Sequence, residues 1–388
     1  MHRPAQIAYA SLYASKFVLW GIALPFFSGW LALKGFSAPD IGLITGAALG
    51  ARLLLGPAVA WWSDRQPDQR RALRFIAFLF AASAVCLAFA PAKPAIVASS
   101  VILLWSFGLL IPLTDSLVLA ADRAGLVHYG QTRAVGSVSF LATTILGGEA
   151  LTRFGLSTGV AIMAVAGAST FIVSLLLPRA SDGEARRAAP SWRDARKLVG
   201  EPRFLMALGA AGLTQSAHAV YYSFSILHWT ALGYSPRVIG ALWATGVVAE
   251  ILLLTRARSL VSRLRPDLLI ALGAGGAAAR WLFTAGDPVL PLLFAVQMFH
   301  ALSFSATHIG TIEFIDRAAP KRLVTTAMTL HSTAGVGALT GLATIAAGYV
   351  FQAYGAGAAY LLMAAIAATG AALALLLSRR WKGEALFA

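Results

Sequence analysis

The chain has 388 residues, of which 58% are hydrophobic and only 12% charged, and its mean hydropathy is +0.74. No ordinary water-soluble domain needs that much apolar material for a core, so the composition excludes a soluble globule and reads as an integral membrane protein. The net charge of +15 does not indicate nucleic acid, because no folded polar surface gathers the basic residues; it fits the positive bias of cytoplasmic loops.

A membrane helix needs roughly 20 apolar residues. Apolar runs bounded by turn residues and charge clusters predict spans over 5–33, 39–63, 70–90, 94–121, 131–153 and 156–177. A polar stretch, 178–201, follows, and then spans over 202–232, 235–260, 266–285, 288–315, 321–351 and 356–380. The first apolar run is too long for a cleaved signal peptide and is read as a retained helix. The expected fold is an all-α membrane protein of twelve helices in two pseudo-symmetric bundles, 1–177 and 202–388, joined by a cytoplasmic linker, 178–201. The linker's composition suits a flexible or surface-lying segment. Cys86 is the single cysteine, which excludes an intramolecular disulfide and a cysteine-based metal cluster, and it is expected to serve packing.

Loop charges test the orientation. Numbered by these spans, 23 Lys and Arg fall on one side, including the Arg65, Arg70, Arg71 and Arg74 cluster and the linker's basic residues, against 4 on the other, Lys34, Lys93, Arg153 and Arg237. The positive-inside rule therefore places both termini in the cytoplasm, in a multi-pass protein of the inner (plasma) membrane.

The two halves carry a duplicated turn. The segment from Trp30 through Gly35 to Gly42 matches the one from Trp229 through Gly233 to Gly240, offset by 199 residues before the glycine and 198 after it. A parallel repeat of this kind is a construction principle of secondary transporters, whose sites lie near the bilayer midplane at the repeat interface.

Ionisable residues at membrane depth cost roughly 2.5–3.5 kcal/mol each on insertion scales, so those that remain are candidates for function. Lys16, Asp115, His218 and His300 fall on spans one, four, seven and ten, equivalent positions under the duplication. Lys16 lies with Tyr9, Tyr13 and Trp20 at helical spacing, a face suited to an anionic aromatic ligand through charge and ring stacking. The same stripe also reads as packing, with Lys16 paired to Asp115. Arg52, on the second span, offers a bidentate fork to a carboxylate or pairs with an acid such as Asp115. On the seventh span Gln215, His218, Tyr222 and Ser225 share a helical face. Glu250, Arg280 and His300 come from three consecutive spans at comparable depth; a carboxylate whose proton affinity changes with the position of an arginine is what a proton-coupled carrier requires. A permanent Glu250–Arg280 ion pair is the competing reading. Glu149 with Arg153 reads as a structural i,i+4 pair, Glu313 and Asp316 as gate or anchor contacts, and His308 as a weaker candidate off the His300 face. The sequence holds no P-loop, HExxH, EF-hand or CxxC pattern, so ATP-driven transport, a metal site and an enzyme reading are unsupported.

With this organisation the chain resembles the major facilitator superfamily over its full length. The loop after the second span, with Asp64-Arg65 followed by Arg70-Arg71, looks like that superfamily's loop signature but lacks both of its glycines. The stretch GIALPFF at 21–27, Pro112-Leu113-Thr114-Asp115, Ala217-His218 through Phe224, Gly246 to Glu250 and Arg280-Trp281 together are similar to the phenylpropionic acid transporter family. That resemblance implies import of aromatic acids with protons. Arg52, Asp115, His218, Glu250, Arg280 and His300 match the family's pattern, while Lys16 stands where it has an aromatic residue. Spans eight to ten also look like the proton-coupling group of lactose permease, with Ser303 near where that group has a second acid.

The expected function is proton-coupled symport of a small organic solute, an aromatic or other carboxylate favoured, by alternating access. Substrate-binding candidates are Lys16, Tyr13, Trp20, Arg52, Gln215, His218, Tyr222 and His300; Asp115, Glu250 and Arg280 are the proton-coupling candidates. No cofactor is expected beyond the proton gradient. The expected partners are a small molecule, protons and the bilayer, with no nucleic acid and a monomeric protein. Alternatives are a proton-driven exporter of an amphipathic compound, an importer of a siderophore, nucleoside or sugar, and a membrane receptor that moves nothing.

Overall fold

The computed structural model describes residues 3–66, 68–178, 192–256, 259 and 263–387, and every regular element among them is helical. The linker residues 179–191, with Arg179, Arg186 and Arg187, lie outside the described residues, as does Arg258. The first six spans are Arg3–Leu33, Ala38–Asp64, Arg70–Phe89, Lys93–Arg123, Tyr129–Phe154 and Ser157–Leu175. The end of the linker is an eight-residue helix, Trp192–Val199.

Among the described residues ten helices are long and apolar enough to cross a membrane. The last of these, Lys321–Arg380, turns at Gly355 (φ 82) and so makes two crossings, the eleventh and twelfth spans. The seventh span is also present but broken, as Pro202–Ser216 and Ala219–Ala231. The eighth and ninth are Pro236–Leu254 and Pro266–Ala285, and the tenth runs Leu290–Ala318. Large apolar side chains such as Leu54, Phe89 and Val165 stand exposed, as a lipid-facing surface requires. Cys86 is among the exposed residues, so the expectation that it serves packing is corrected: it sits on the outer face of the third span.

The sequence reads as one uninterrupted helix through the seventh span, and the structure breaks it at Ala217–His218 without a proline. Nδ1 of His218 lies 3.2 Å from the carbonyl oxygens of both Thr214 and Gln215. A side chain turned back into its own hydrogen-bond ladder competes with the backbone donors and kinks the helix. Two further irregularities are π-helical turns, Ala301–Ala306 in the tenth span and His331–Ala338 in the eleventh, each starting at or directly after a histidine. Such turns are frequent at functional sites.

The chain forms two compact units. One comprises Met1–Phe36, Ala47–Ala188 and Ser225–Ala241; the other comprises Ser37–Gly46, Ala189–Phe224 and Leu242–Ala388. In the first, Leu12, Leu19, Ile76, Phe80 and Leu103 are buried; in the second, Phe204, Ile270, Phe314, Leu377 and Trp381 are. Each short exchanged segment is seated by a close helix crossing. In the first unit a Cβ on Gly240 would lie 2.4 Å from the Thr144 carbonyl oxygen, and one on Gly148 would lie 2.6 Å from that of Pro236. In the second, a Cβ on Gly42 would lie 2.9 Å from the Thr344 carbonyl oxygen, and one on Gly348 would lie 2.6 Å from that of Ala38. The two crossings are the same contact made twice, which extends the repeat from sequence to packing. The duplicated turns agree in backbone as well: Gly35 and Gly233 have φ of 77° and 85°. The amides of Phe36 and Tyr234 close onto carbonyls five residues back, as at a glycine-capped helix end.

Candidate functional site

In the first unit a cluster forms around Tyr13. Its hydroxyl makes a short hydrogen bond to the Asp115 carboxylate. One turn along the first span, Lys16 is fully buried, with its Nζ 4.2 Å from the Tyr13 ring centroid and 5.7 Å from that of Phe17. No hydrogen bond reaches that ammonium from the described residues. The pairing of Lys16 with Asp115 raised from the sequence is therefore not what the structure holds; Tyr13 takes the carboxylate instead. Arg133 stacks its guanidinium on the same two rings, 5.6 Å from Tyr13 and 4.8 Å from Phe17. Trp20 lies flat on Phe107, with centroids 3.8 Å apart. Arg52 is exposed and its Cδ packs against Gly108 of the fourth span; among the described residues it makes no ion pair or hydrogen bond. Three cations thus accompany one carboxylate in this region, a field that favours an anion.

In the second unit the residues of spans seven, nine and ten join into one hydrogen-bonded chain, and Glu250 of span eight faces it. Arg280 is fully buried; its Nη2 donates to Gln297 Oε1 at 2.7 Å and its Nη1 to Nδ1 of His300 at 2.9 Å, with Ser303 Oγ at 3.4 Å. Nε2 of His300 lies 3.4 Å from a carboxylate oxygen of half-buried Glu250. His218 completes the chain, its Nε2 3.0 Å from Ser303 Oγ.

These contacts assign the histidine tautomers. A guanidinium only donates, so His300 Nδ1 is an acceptor, and in the neutral ring the proton is on Nε2, facing Glu250. Carbonyl oxygens only accept, so His218 carries its proton on Nδ1 and receives the Ser303 hydroxyl proton at Nε2. Doubly protonated His300 would set an N–H against the Arg280 N–H, so proton gain at this ring and the Arg280 contact exclude one another. His300 therefore stands between Glu250 and Arg280, a different arrangement from the direct ion pair weighed from the sequence.

Aromatic rings enclose the guanidinium, whose Cζ lies 4.5 Å from the Tyr221 centroid and 4.4 Å from that of Trp281. Tyr221 stacks on Trp243 at 4.1 Å and Trp281 on Tyr360 at 5.8 Å. Tyr222 stacks on His218 at 5.4 Å, and Gln215 donates to the Phe304 carbonyl at 3.4 Å. Sequence reasoning missed Gln297, fully buried and one turn before His300 on the same face, and the Tyr221, Trp243 and Tyr360 enclosure. The signal for Gln297 was its spacing of three from His300.

Other candidates lie apart. Glu149 pairs with Arg153 and also with Arg237, whose backbone N–H donates to Thr152 Oγ1 at 2.8 Å. Glu313 pairs with Arg317 at 2.6 Å, and exposed His308 stacks on Phe304 at 6.1 Å. Among the described residues no group of three His, Cys, Asp or Glu is placed to hold a metal.

Comparison with known proteins adds the family. Residues 6–362 match the MFS_1 like family. A probable 3-phenylpropionic acid transporter of Escherichia coli K12 is 32% identical over 89% of this chain and 91% of its own length. A maltose permease of Geobacillus stearothermophilus is 26% identical over 87% of each chain. The crystal structure of the nucleoside transporter NupG superposes with a TM-score of 0.79, covering 97% of this chain and all of the other at 18% identity.

Proposed function

This chain belongs to the MFS_1-like family and is a multi-pass membrane transporter of a small molecule, not an enzyme; on that premise we propose that it is a proton-coupled importer of a small organic acid, working by alternating access. The observation that carries the coupling is His300 set between Glu250 and Arg280. Because Nε2 of His300 already carries a proton, a further proton gained by the ring sits on Nδ1 and removes the acceptor that Arg280 uses, while the Glu250 carboxylate faces the resulting imidazolium; protonation and the arrangement of spans eight to ten are thereby linked. Asp115, held by Tyr13, is the second candidate proton carrier.

The substrate's carboxylate is assigned to Lys16, whose buried ammonium has no hydrogen-bond partner among the described residues, with Arg52 assisting. An aromatic acid is favoured by the Tyr13, Trp20 and Phe107 rings and by the likeness to a probable 3-phenylpropionic acid transporter. Gln215, His218 and Tyr222 orient the solute by hydrogen bonds and stacking. The excess of basic residues on one side favours a protein of the inner (plasma) membrane with both termini in the cytoplasm, acting as a monomer.

Reconstituted into liposomes, the protein is expected to accumulate labelled 3-phenylpropionate or a related aromatic acid when the outside is acid. A protonophore should abolish accumulation, and the lumen should acidify with the flux. Uptake indifferent to the proton gradient sinks the coupling, and accumulation of neutral solutes alone sinks the acid.

A further inference from the structure

The helix Trp192–Val199, the turn into the seventh span, the turn Lys321–Leu323 and the end of the chain surround a cavity of about 370 Å³ that contains none of the residues assigned to transport above. All of it belongs to the second unit. Its wall carries three cations, Arg196, Lys197 and Arg322, and one carboxylate, Glu201. That carboxylate is already engaged, accepting from Arg203 Nε at 2.8 Å and capping the seventh span through the Arg203 backbone N–H at 3.2 Å. With Glu201 engaged, Arg196 and Lys197 give this wall an excess of positive charge. The remaining wall is apolar, from Leu323 and Phe387.

The packing that builds these walls is extensive for so peripheral a place. Leu198 and Leu323 are buried in one apolar cluster with Phe204, Phe314 and Trp381. The final residues are fastened beneath the bundle: Trp381 is fully buried against Phe314, and its Nε1 donates to the Glu384 carbonyl at 2.7 Å. Glu384 receives Arg203 at 2.8 Å, and the Leu386 amide donates to the Ala318 carbonyl at 2.9 Å. These contacts carry Phe387 to the cavity. Val199, the neighbour in sequence of Gly200 in the cavity wall, and Leu205, whose amide bonds to the Glu201 carbonyl at 3.1 Å in the first turn of the seventh span, stand exposed.

A soluble anion would need only the cations. A cationic cup with an apolar wall, opening where a membrane helix begins and flanked by exposed aliphatic side chains, matches an amphiphile whose charge lies at the interface. We propose that this cavity binds the headgroup of an anionic phospholipid. Arg196 and Lys197 hold the phosphate, and the acyl chains run along Val199 and Leu205. The inference takes its side of the membrane from the positive-inside reading above and is independent of the substrate and of proton coupling.

The test uses the full-length protein, stripped of lipid in a neutral detergent and titrated with phosphatidylglycerol or phosphatidylcholine, with bound lipid counted by native mass spectrometry and stability by thermal unfolding. Phosphatidylglycerol is expected to be retained and to raise Tm, and phosphatidylcholine to do neither. Arg196→Gln/Lys197→Gln should weaken retention roughly thirtyfold, from about a kilocalorie per basic residue. The single variants should each show a smaller loss, which keeps the test open if the double variant is not recovered. Arg196→Lys, which keeps the charge, and Arg379→Gln/Arg380→Gln, which removes equal charge elsewhere, should retain the response. Equal responses to the two lipids, an unchanged response in the double variant, an equal loss in the Arg379/Arg380 variant, or the same stabilisation by inorganic phosphate alone would each overturn the proposal.

Discussion

The Arg280 guanidinium donates to Nδ1 of His300 across 2.9 Å, and that contact leaves the other ring nitrogen to face Glu250. Glu250→Gln keeps the shape of the contact but removes the titrating carboxylate. Its expected phenotype is loss of proton-driven accumulation, at least tenfold, while exchange of labelled for unlabelled substrate across the membrane continues. Counterflow in proteoliposomes separates the two; a variant that loses both has lost binding rather than coupling.

Ser303 is the only hydroxyl seen to join His218 to Arg280 among the described residues. Ser303→Ala removes the donor to His218 Nε2 and leaves a buried ring nitrogen unpaired, at about 1–2 kcal/mol. Thermal unfolding should show that loss, together with a roughly tenfold slower uptake; a double variant with His218→Ala should lose less than the sum of the two, because both act in one chain.

Lys16 is a buried ammonium without a hydrogen-bond partner among the described residues, so its presence opposes folding. Lys16→Met is expected to raise the stability of the substrate-free protein by about 1–3 kcal/mol and to abolish stabilisation by aromatic acids. A protein that becomes less stable and still responds to those acids would assign Lys16 to packing.

The crossing at Gly240 leaves no room for a side chain, since a Cβ there would stand 2.4 Å from the Thr144 carbonyl oxygen. Gly240→Val should lower stability by about 2–3 kcal/mol. Gly42→Val, at the matching crossing with a spacing of 2.9 Å, should lower it less. The order of the two melting temperatures checks the geometry.

Asp68 accepts from Arg70 through Nε at 2.8 Å and Nη2 at 2.7 Å, and Arg70 Nη1 reaches the Leu177 carbonyl at 2.6 Å. The side-chain hydrogen bond from Arg70 lowers the Asp68 carboxyl from its ordinary 3.8 to about 2. A depressed carboxyl stabilises the fold above its unfolded value and loses that contribution as pH falls through the folded one. Asp68→Asn should therefore be less stable than the natural protein by about 1 kcal/mol near neutral pH. The gap should close between pH 3.8 and about 2 in thermal unfolding of the detergent-solubilised protein.

Glu250, Arg280 and His300 were legible because charge at membrane depth is rare, and His218 because it sits at a position repeated in the other half. Gln297 and Ser303 were harder to see: neither is charged, and a polar side chain in an apolar helix stands out only once its neighbour is known to need an acceptor. The break at Ala217–His218 carries no proline or glycine, so nothing local announces it; it arises from a side chain competing for its own helix's carbonyls.

Composition and the spacing of apolar runs determine the membrane spans by themselves, because each helix must satisfy its backbone internally and face lipid. The duplicated glycine turns likewise determine the repeat, since a left-handed backbone selects glycine wherever it occurs. Which charges meet was decided by tertiary structure alone. The sequence allows Lys16 to claim Asp115, yet Tyr13 takes that carboxylate and leaves the ammonium over aromatic rings with no hydrogen bond from the described residues. His300 comes between Glu250 and Arg280 in the same way. Hydrogen bonds act over about 3 Å, whereas helical periodicity places a side chain only to within a face, so partner choice depends on packing between helices that no local pattern encodes.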